Sequence, residues 1–335
     1  MNTRRIEEEM ARVKCWTAAL AIGLLLMTLV GECYGQLRFG YYNNKCRKVD
    51  VEAFVFFIVK KHFIQEKHTV AALIRLQFHD CFIRGCDASI LLEGQGSEKT
   101  APPNQSVDGY DIVEEAKVAL DRQCPGVVSC ADIIVLAARA ATFLGGASWY
   151  SVETGRKDGR ISRANDALQS LPGPSMPIPQ AVQVFAQHGL NTEDFVYLLG
   201  CHTVGTAHCA TFQDRLYNFR NSGRSDPSMS RLLRVSLQKT CPRNFISSKE
   251  TFLDQTKRSE FRMDNGFFKR ILKGEGVLEV DQQLAFHPLT RNIVIRAASN
   301  ENIFKNKIGP AMRKLGLVGV ITRGEVRLGT CKKVR

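Results

Sequence analysis

Despite its 11 cysteines, the 335-residue chain has no CxxC pair, so a zinc ribbon finds no framework in it. It has no internal repeat and no low-complexity tract, which excludes solenoids, collagen-like chains and long linkers. One nearly uncharged, apolar stretch, residues 17–30, falls short of the ~20 apolar residues that a bilayer-spanning helix needs. Strand-like alternation is scarce. Basic residues are plentiful, but no basic stretch is interleaved with stacking aromatics, so nucleic acid is not an expected partner.

What is present is the composition of a globule. A hydrophobic content of 44% supports a sizeable core, and 24% charged residues is ordinary for a water-exposed surface, which together exclude disorder and coiled-coil architecture. The net charge of +13 is spread along the chain and suits acidic surroundings, such as an acidic polysaccharide or an anionic surface.

Residues 17–30 follow the basic Arg12 and Lys14 and precede the small Gly31 and Gly35, the pattern of a secretory signal peptide. Glu7, Glu8 and Glu9 are unusual in a positive leading region, so Met10 makes a better start. Cleavage is expected near Gly35 and Gln36, giving a signal peptide over residues 1–35 and a secreted mature domain over 36–335. Cys15 and Cys33 leave with the signal. The nine cysteines that remain allow four disulfides and one odd thiol in an oxidising compartment, and the count does not say which is odd.

Val51, Phe54, Val55 and Ile58 follow the i, i+3, i+4, i+7 spacing of a buried helical face. Similar patterns predict helices over 70–82, 107–122, 131–143, 178–188, 192–200, 228–240, 265–273 and 290–315. Asn191 followed by Thr192, Glu193 and Asp194 supplies a cap and an acidic first turn. Proline and glycine mark loops over 94–104, 145–159 and 171–179. The mature chain reads as one mainly α-helical domain.

Two of the seven histidines keep unusual company. Arg75 and His79 are four residues apart, so a helix stacks them on one face. A cation beside an imidazole lowers its pKa and keeps it neutral, as a general base requires. The plainer alternative is a surface arginine and a half-buried histidine. Beyond His79, Asp80, Asp87 and Ser89 bracket a glycine-containing loop bounded by Cys81 and Cys86. Their side chains, with the carbonyls of Ile83 and Gly85, are the hard oxygen ligands that Ca²⁺ takes, although the pattern is not an EF-hand and an ordinary acidic turn competes. His202 is likewise followed by a hydroxyl residue, Thr203, near a helix end. A zinc site of His202, His208 and Cys209 has no helix-face spacing behind it, and a lone core histidine is the stronger competitor.

Together these segments resemble the class III secretory peroxidases of plants, the horseradish-type family. The likeness runs from Gln36-Leu37 to Cys331 through residues 75–89, Ser97-Glu98-Lys99, 124–139, Gly155-Arg156-Lys157-Asp158, 171–174, 199–209 and Asp281-Gln282. The resemblance implies an all-α heme peroxidase fold, with heme b sandwiched between two helical halves and four disulfides: Cys46–Cys124, Cys81–Cys86, Cys130–Cys331 and Cys209–Cys241. Cys201 is then the odd thiol, inert if buried. Asp132 and Arg156 match a buried structural ion pair.

It also implies roles. His202 matches the axial iron ligand of peroxidases, and Asp281 the carboxylate that takes its other N–H. His79 matches the proton acceptor and donor, Arg75 the transition-state stabiliser, and Asn104 with Glu98 behind it the relay that orients His79. Pro172 matches an aromatic-substrate contact. Two Ca²⁺ are implied. The first matches Asp80, Ile83, Gly85, Asp87 and Ser89; the second matches Thr203, Asp254 and Asp264. The two aspartates of the second site stand two residues further apart than is usual. Counting back from Asp264 puts Ser259 in the hydroxyl position, whereas counting forward from Asp254 puts Lys257 there, and an ammonium cannot ligate Ca²⁺. Ser259 is therefore favoured.

Departures are few: Arg47 stands where proline is usual, and Leu199 and Cys201 replace common small residues. The single N-x-S/T sequon, Asn104-Gln105-Ser106, coincides with the relay residue, so no N-glycan is expected. The expected activity is reduction of H2O2 with one-electron oxidation of phenolic donors, by a monomer in the apoplast or cell wall, since the four residues after Cys331 leave no long vacuolar extension. The physiological donor is not legible. A non-catalytic heme protein would want a second strong axial ligand or a blocked pocket, and Arg75 beside His79 argues against it. Binding of acidic cell-wall polysaccharide by the basic surface is compatible with catalysis.

Overall fold

The computed structural model describes residues 37–46, 49–244 and 249–334. The expected signal peptide, the start at Met10, Cys15, Cys33, the cleavage near Gly35 and the departure at Arg47 lie outside the described residues. Among the described residues the first four α-helices are α1 (Val51–Gln65), α2 (Thr69–Ile83), α3 (Tyr110–Gln123) and α4 (Cys130–Leu144). Asp50 caps α1 by accepting from the Ala53 amide, and Ser129 caps α4 by accepting from that of Asp132. Helix α4 is alanine-rich and buried almost throughout, which lets α1, α2 and α3 all pack against it.

The remaining helices are α5 (Ala164–Ser170), α6 (Ile178–Gln187), α7 (Thr192–Leu199), α8 (Gln213–Tyr217), α9 (Arg231–Thr240), α10 (Gly266–Ile271), α11 (Glu279–Phe286), α12 (Pro288–Ser299) and α13 (Glu301–Leu315). Helix α7 packs on α12 and α13, and α10 on α12. Asn191 and Asp194 form a reciprocal capping box at the start of α7, where the sequence predicts a cap. One apolar core runs through both groups of helices.

The expected helix over 290–315 is two helices. Asn300 is extended (φ −149°, ψ 119°), and its side chain accepts from the Asn302 amide to start α13. The apolar pattern runs on across the break. A short antiparallel ladder pairs β1 (Thr206–His208) with β2 (Glu250–Phe252), matching Thr206 with Phe252 and His208 with Glu250.

All four implied disulfides are formed, and among the described residues Cys201 is the free thiol, buried. Asp132 and Arg156 form a fully buried ion pair at 2.9 Å, and Asp132 also accepts from the Tyr42 hydroxyl at 2.6 Å and the Gly155 amide at 2.7 Å. Gly85 adopts φ +102° with the Gly319 backbone directly against it, so a side chain there would be both strained and in collision. Among the described residues, no helix is long and apolar enough to cross a membrane.

Candidate active site

A cavity of about 1080 Å³ is walled by α2, the 171–174 loop, α6, α7, residues 201–208, β2 and the end of α13. Its volume and its mixture of apolar walls with a few convergent polar groups are those of a ligand site. Both singled-out histidines line it, on different walls.

On α2, one helical turn brings Arg75 to His79, and the Arg75 Nε donates to His79 Nε2 at 3.3 Å. The guanidinium is held by the Ser106 carbonyl at 2.6 Å and by the Pro103 carbonyl and Ser106 hydroxyl, both at 3.1 Å. The other edge of His79 is fixed as well. Asn104 Nδ2 donates to the Glu98 backbone carbonyl at 2.8 Å, so Asn104 Oδ1 is free to accept from His79 Nδ1 at 2.6 Å. That assigns the proton to Nδ1 and leaves the Nε2 lone pair toward the cavity. Burial first, and then the Arg75 charge, press the imidazole pKa down to about 3, against the raising effect of the bond to Asn104. The result is a neutral imidazole whose Nε2 lone pair, at the cavity wall, accepts a long bond from a fixed cation.

The relay thus runs through the Glu98 carbonyl. The Glu98 carboxylate instead accepts from the Ser89 hydroxyl at 3.1 Å, with its other oxygen buried and unpartnered. Asn104 itself is buried, which withdraws the acceptor asparagine of the sequon from the surface.

His202 sits on a single 3₁₀ turn (Gly200–Thr203) directly after α7. Its Nδ1 donates to Asp281 Oδ1, on α11, at 2.8 Å. Burial lowers the His202 pKa, but the charge and hydrogen bond of Asp281 outweigh it and hold the value above that of an ordinary histidine. Anchoring Nδ1 leaves Nε2 as the available ligand atom. Cys201 also lines the cavity, and burial pushes its thiol up to about 12, so it stays protonated. His208 lies on β1, away from any zinc-like grouping; among the described residues no three His, Cys, Asp or Glu side chains form a metal site.

The residues present fit heme. Two imidazoles, each with Nδ1 tied to an acceptor, present Nε2 to one cavity whose walls include Phe185, Leu198, Val204, Met312 and Leu315. Those apolar walls suit a flat macrocycle, and His202 is the ligand type that holds its iron. Pro172 lines the cavity within the 171–174 loop.

The loop after α2 gathers acids. Asp80 and Asp87 are buried; Asp80 Oδ2 accepts from the Ala88 amide at 3.0 Å, and Asp80 Oδ1 has no partner. Burial first, and then the charge of Asp87, push the Asp80 pKa up; burial also raises Asp87, and Glu98 reaches about 8. Ala88 between them is left-handed (φ 60°), and its carbonyl is held by Arg327 at 2.9 Å. Ile83 ends α2 and Gly85 follows, so both carbonyls leave the helix at this loop. Buried carboxylates with a bare oxygen and too few cations are what a Ca²⁺ relieves.

In the second group, Thr203 Oγ1 lies 3.3 Å from Asp254 Oδ2, 3.4 Å from Asp264 Oδ1 and 3.3 Å from the Arg262 carbonyl. Burial raises the Asp254 pKa. Ser259 turns elsewhere and donates to the Thr256 carbonyl at 3.3 Å. A second hydroxyl beside the carboxylates is that of Thr256: it, Asp254 Oδ2 and Asp264 Oδ1 all crowd the space that a Cβ on Gly266 would take. Counting from either aspartate passes over Thr256, because it is two residues from Asp254 where either count looks further along.

A family model described as Peroxidase matches residues 55–300 of this chain. Among curated proteins, the chain is 46% identical to "Peroxidase 57" of Arabidopsis thaliana over 91% of its own length and 95% of that protein's. It is 44% identical to "Peroxidase 60" of Arabidopsis thaliana, over 92% and 93% respectively. To "Peroxidase N1" of Nicotiana tabacum it is 40% identical, over 92% and 94%.

Proposed function

The chain belongs to the peroxidase family, and on that footing we propose that Arg75, His79 and Asn104 activate hydrogen peroxide over a heme b held by His202. The enzyme reduces H2O2 and oxidises aromatic donors. The observation that carries the residue assignment is the fixed tautomer of His79, whose Nε2 lone pair faces the cavity beside a guanidinium. Bound heme supplies the iron at which the peroxide is split and through which two donors each give up one electron.

The protein's part is proton movement and charge placement. His79 Nε2 takes a proton from the incoming peroxide and returns it to the oxygen that leaves as water. The Arg75 guanidinium stabilises negative charge developing on that oxygen, and its three bonds to Pro103 and Ser106 mean that it need not reorganise during the step. Asn104 and the Glu98 carbonyl keep the His79 Nδ1 proton in place. Asp281 does the same for His202, making Nε2 a stronger donor to iron. Donors approach by the loop that carries Pro172.

Asp80, Asp87 and Ser89, with the carbonyls of Ile83 and Gly85, hold one Ca²⁺ in this reading. Thr203, Asp254 and Asp264 hold a second, with the Thr256 hydroxyl better placed than that of Ser259. Residues 1–35 serve as the signal peptide of a secreted, apoplastic or wall-located monomer, and 36–335 as its single catalytic domain. The net charge of +13 suits retention on acidic wall polysaccharide.

The test is the absorption spectrum of the purified holoprotein before and after one equivalent of H2O2, with His79→Ala alongside. A rapid spectral change that a phenol reverses, slowed at least ~10²-fold in the variant, supports the assignment. A heme inert to peroxide, with the variant indistinguishable, refutes it.

A further inference from the structure

We propose that the mouth of this cavity selects aromatic donors by charge, favouring those that carry an ammonium group over those that carry a carboxylate. The inference rests on the peroxidase reading above and adds the substrate class. In a chain of net charge +13, the charged side chains lining the cavity among the described residues, histidines aside, are Glu66, Asp108, Glu250 and Arg75. Arg75 lies inside and is taken up by Pro103, Ser106 and His79. The three carboxylates are exposed, at the rim. Among the described residues no lysine lines the cavity: Lys67, next to Glu66, folds its ammonium over the Phe63 ring at 3.6 Å.

The acids are built into the fold. Glu66 follows α1, and Asp108 precedes α3 with its carboxylate 3.9 Å from His68. Glu250 and Phe252 are two apart on β2, so they share a face. Glu250 accepts from the Thr206 hydroxyl at 2.7 Å across the ladder. Phe252 packs edge-on against Phe261 at 5.5 Å, and both rings line the cavity. An aromatic pair beside a fixed carboxylate is a platform for a ring with a cationic tail. At ordinary ionic strength the basic charges elsewhere on the surface are screened beyond about 8–10 Å, so the local rim decides.

The test compares three phenols of one scaffold with saturating H2O2 at pH 7.5, where histidines as a class carry little charge. They are 4-(2-aminoethyl)phenol, 4-(2-hydroxyethyl)phenol and 3-(4-hydroxyphenyl)propanoate. Two methylenes insulate each substituent from the ring, so the rings differ little in ease of oxidation. The expected kcat/KM order is ammonium, neutral, carboxylate. The ratio of first to last is about threefold at 0.1 M salt, where charges act over ~10 Å, and falls toward one at 1 M, where they act over ~3 Å. The triple variant Glu66→Gln, Asp108→Asn, Glu250→Gln brings the ratio at 0.1 M salt near one and leaves the neutral donor unchanged, which also shows that it is folded. A ratio near one in the parent enzyme, a preference for the carboxylate, or a ratio that survives the triple variant overturns the inference alone. Failure to oxidise any of the three donors overturns the peroxidase reading beneath it.

Discussion

Replacing Arg75 with leucine removes two things from the distal wall at once: a donor aimed at the departing oxygen, and the charge that helps keep His79 unprotonated. The first sets the size of the rate loss. Removing one preorganised group that stabilises developing charge in a dry site typically costs ~10²–10³ in rate, and the same loss is expected in the second-order rate constant for H2O2. The second sets the shape of the pH profile. His79 must be neutral to accept a proton, so the parent rate is level above the His79 pKa of about 3 and falls only as pH drops through it. Burial is the larger cause of that low value and is retained by leucine, while the Arg75 charge also lowers it, so its loss moves the pKa upward. A charge at this range contributes ~1–3 in pKa, and with burial retained the acid limb of the variant moves up by about one pH unit. Stopped-flow absorbance at the heme band, with H2O2 in excess from pH 3 to 8, measures both. A loss below tenfold, or an acid limb that stays in place or moves down, refutes the reasoning.

Calcium removal has a signed pH signature. The Glu98 pKa is raised from an ordinary 4.5 to about 8, with Asp80 and Asp87 raised alongside, so the calcium-free native state binds more protons than the unfolded chain in that window. Its stability therefore falls as pH rises from about 4.5 to 8, and added Ca²⁺ abolishes the slope, as urea titrations at several pH values with and without chelator will show. Asp132→Ala leaves Arg156 buried without its anion and lowers unfolding free energy by ~3–5 kcal/mol, read by denaturant unfolding. Asp281→Asn removes the charge behind His202: the iron reduction potential rises, measured by spectroelectrochemistry, and peroxide turnover falls ~10–100-fold.

Much of this molecule is legible in the sequence where side chains carry the signal. The 3.6-residue apolar period located α2 and α4 to within a residue at each end, because both bury a face. It overran Asn300, where a polar cap ends one helix and starts the next without disturbing the apolar pattern. It missed α5, whose single buried residue is Ala167, and a ladder of three residues a side is too short to show a period of two. At the site, Arg75, His79, Asn104, His202 and Asp281 come together as the resemblance implies. The turn to the Glu98 carbonyl could not be read, since a backbone acceptor has no letter. Nor could Thr256, whose place depends on the path of the chain between two aspartates. Glu66, Asp108 and Glu250 come from three separate segments, and only the fold gathers them on one rim.

The disulfide between Cys130 and Cys331 spans 201 residues and fastens the first turn of α4 to the far end of the chain. In order of synthesis, Cys81 meets its partner after 5 residues and Cys46 after 78. Cys130 must wait through 201 residues, passing Cys201, Cys209 and Cys241 on the way, any of which chemistry alone would accept. During that interval its protection is packing, because α4 can bury the thiol against α1, α2 and α3 before the proper sulfur exists. The most central helix is therefore the last to be covalently secured, and correct pairing is delegated to the early half of the fold. A core weakened near α4 would first betray itself as a misconnected chain rather than as a loosened one.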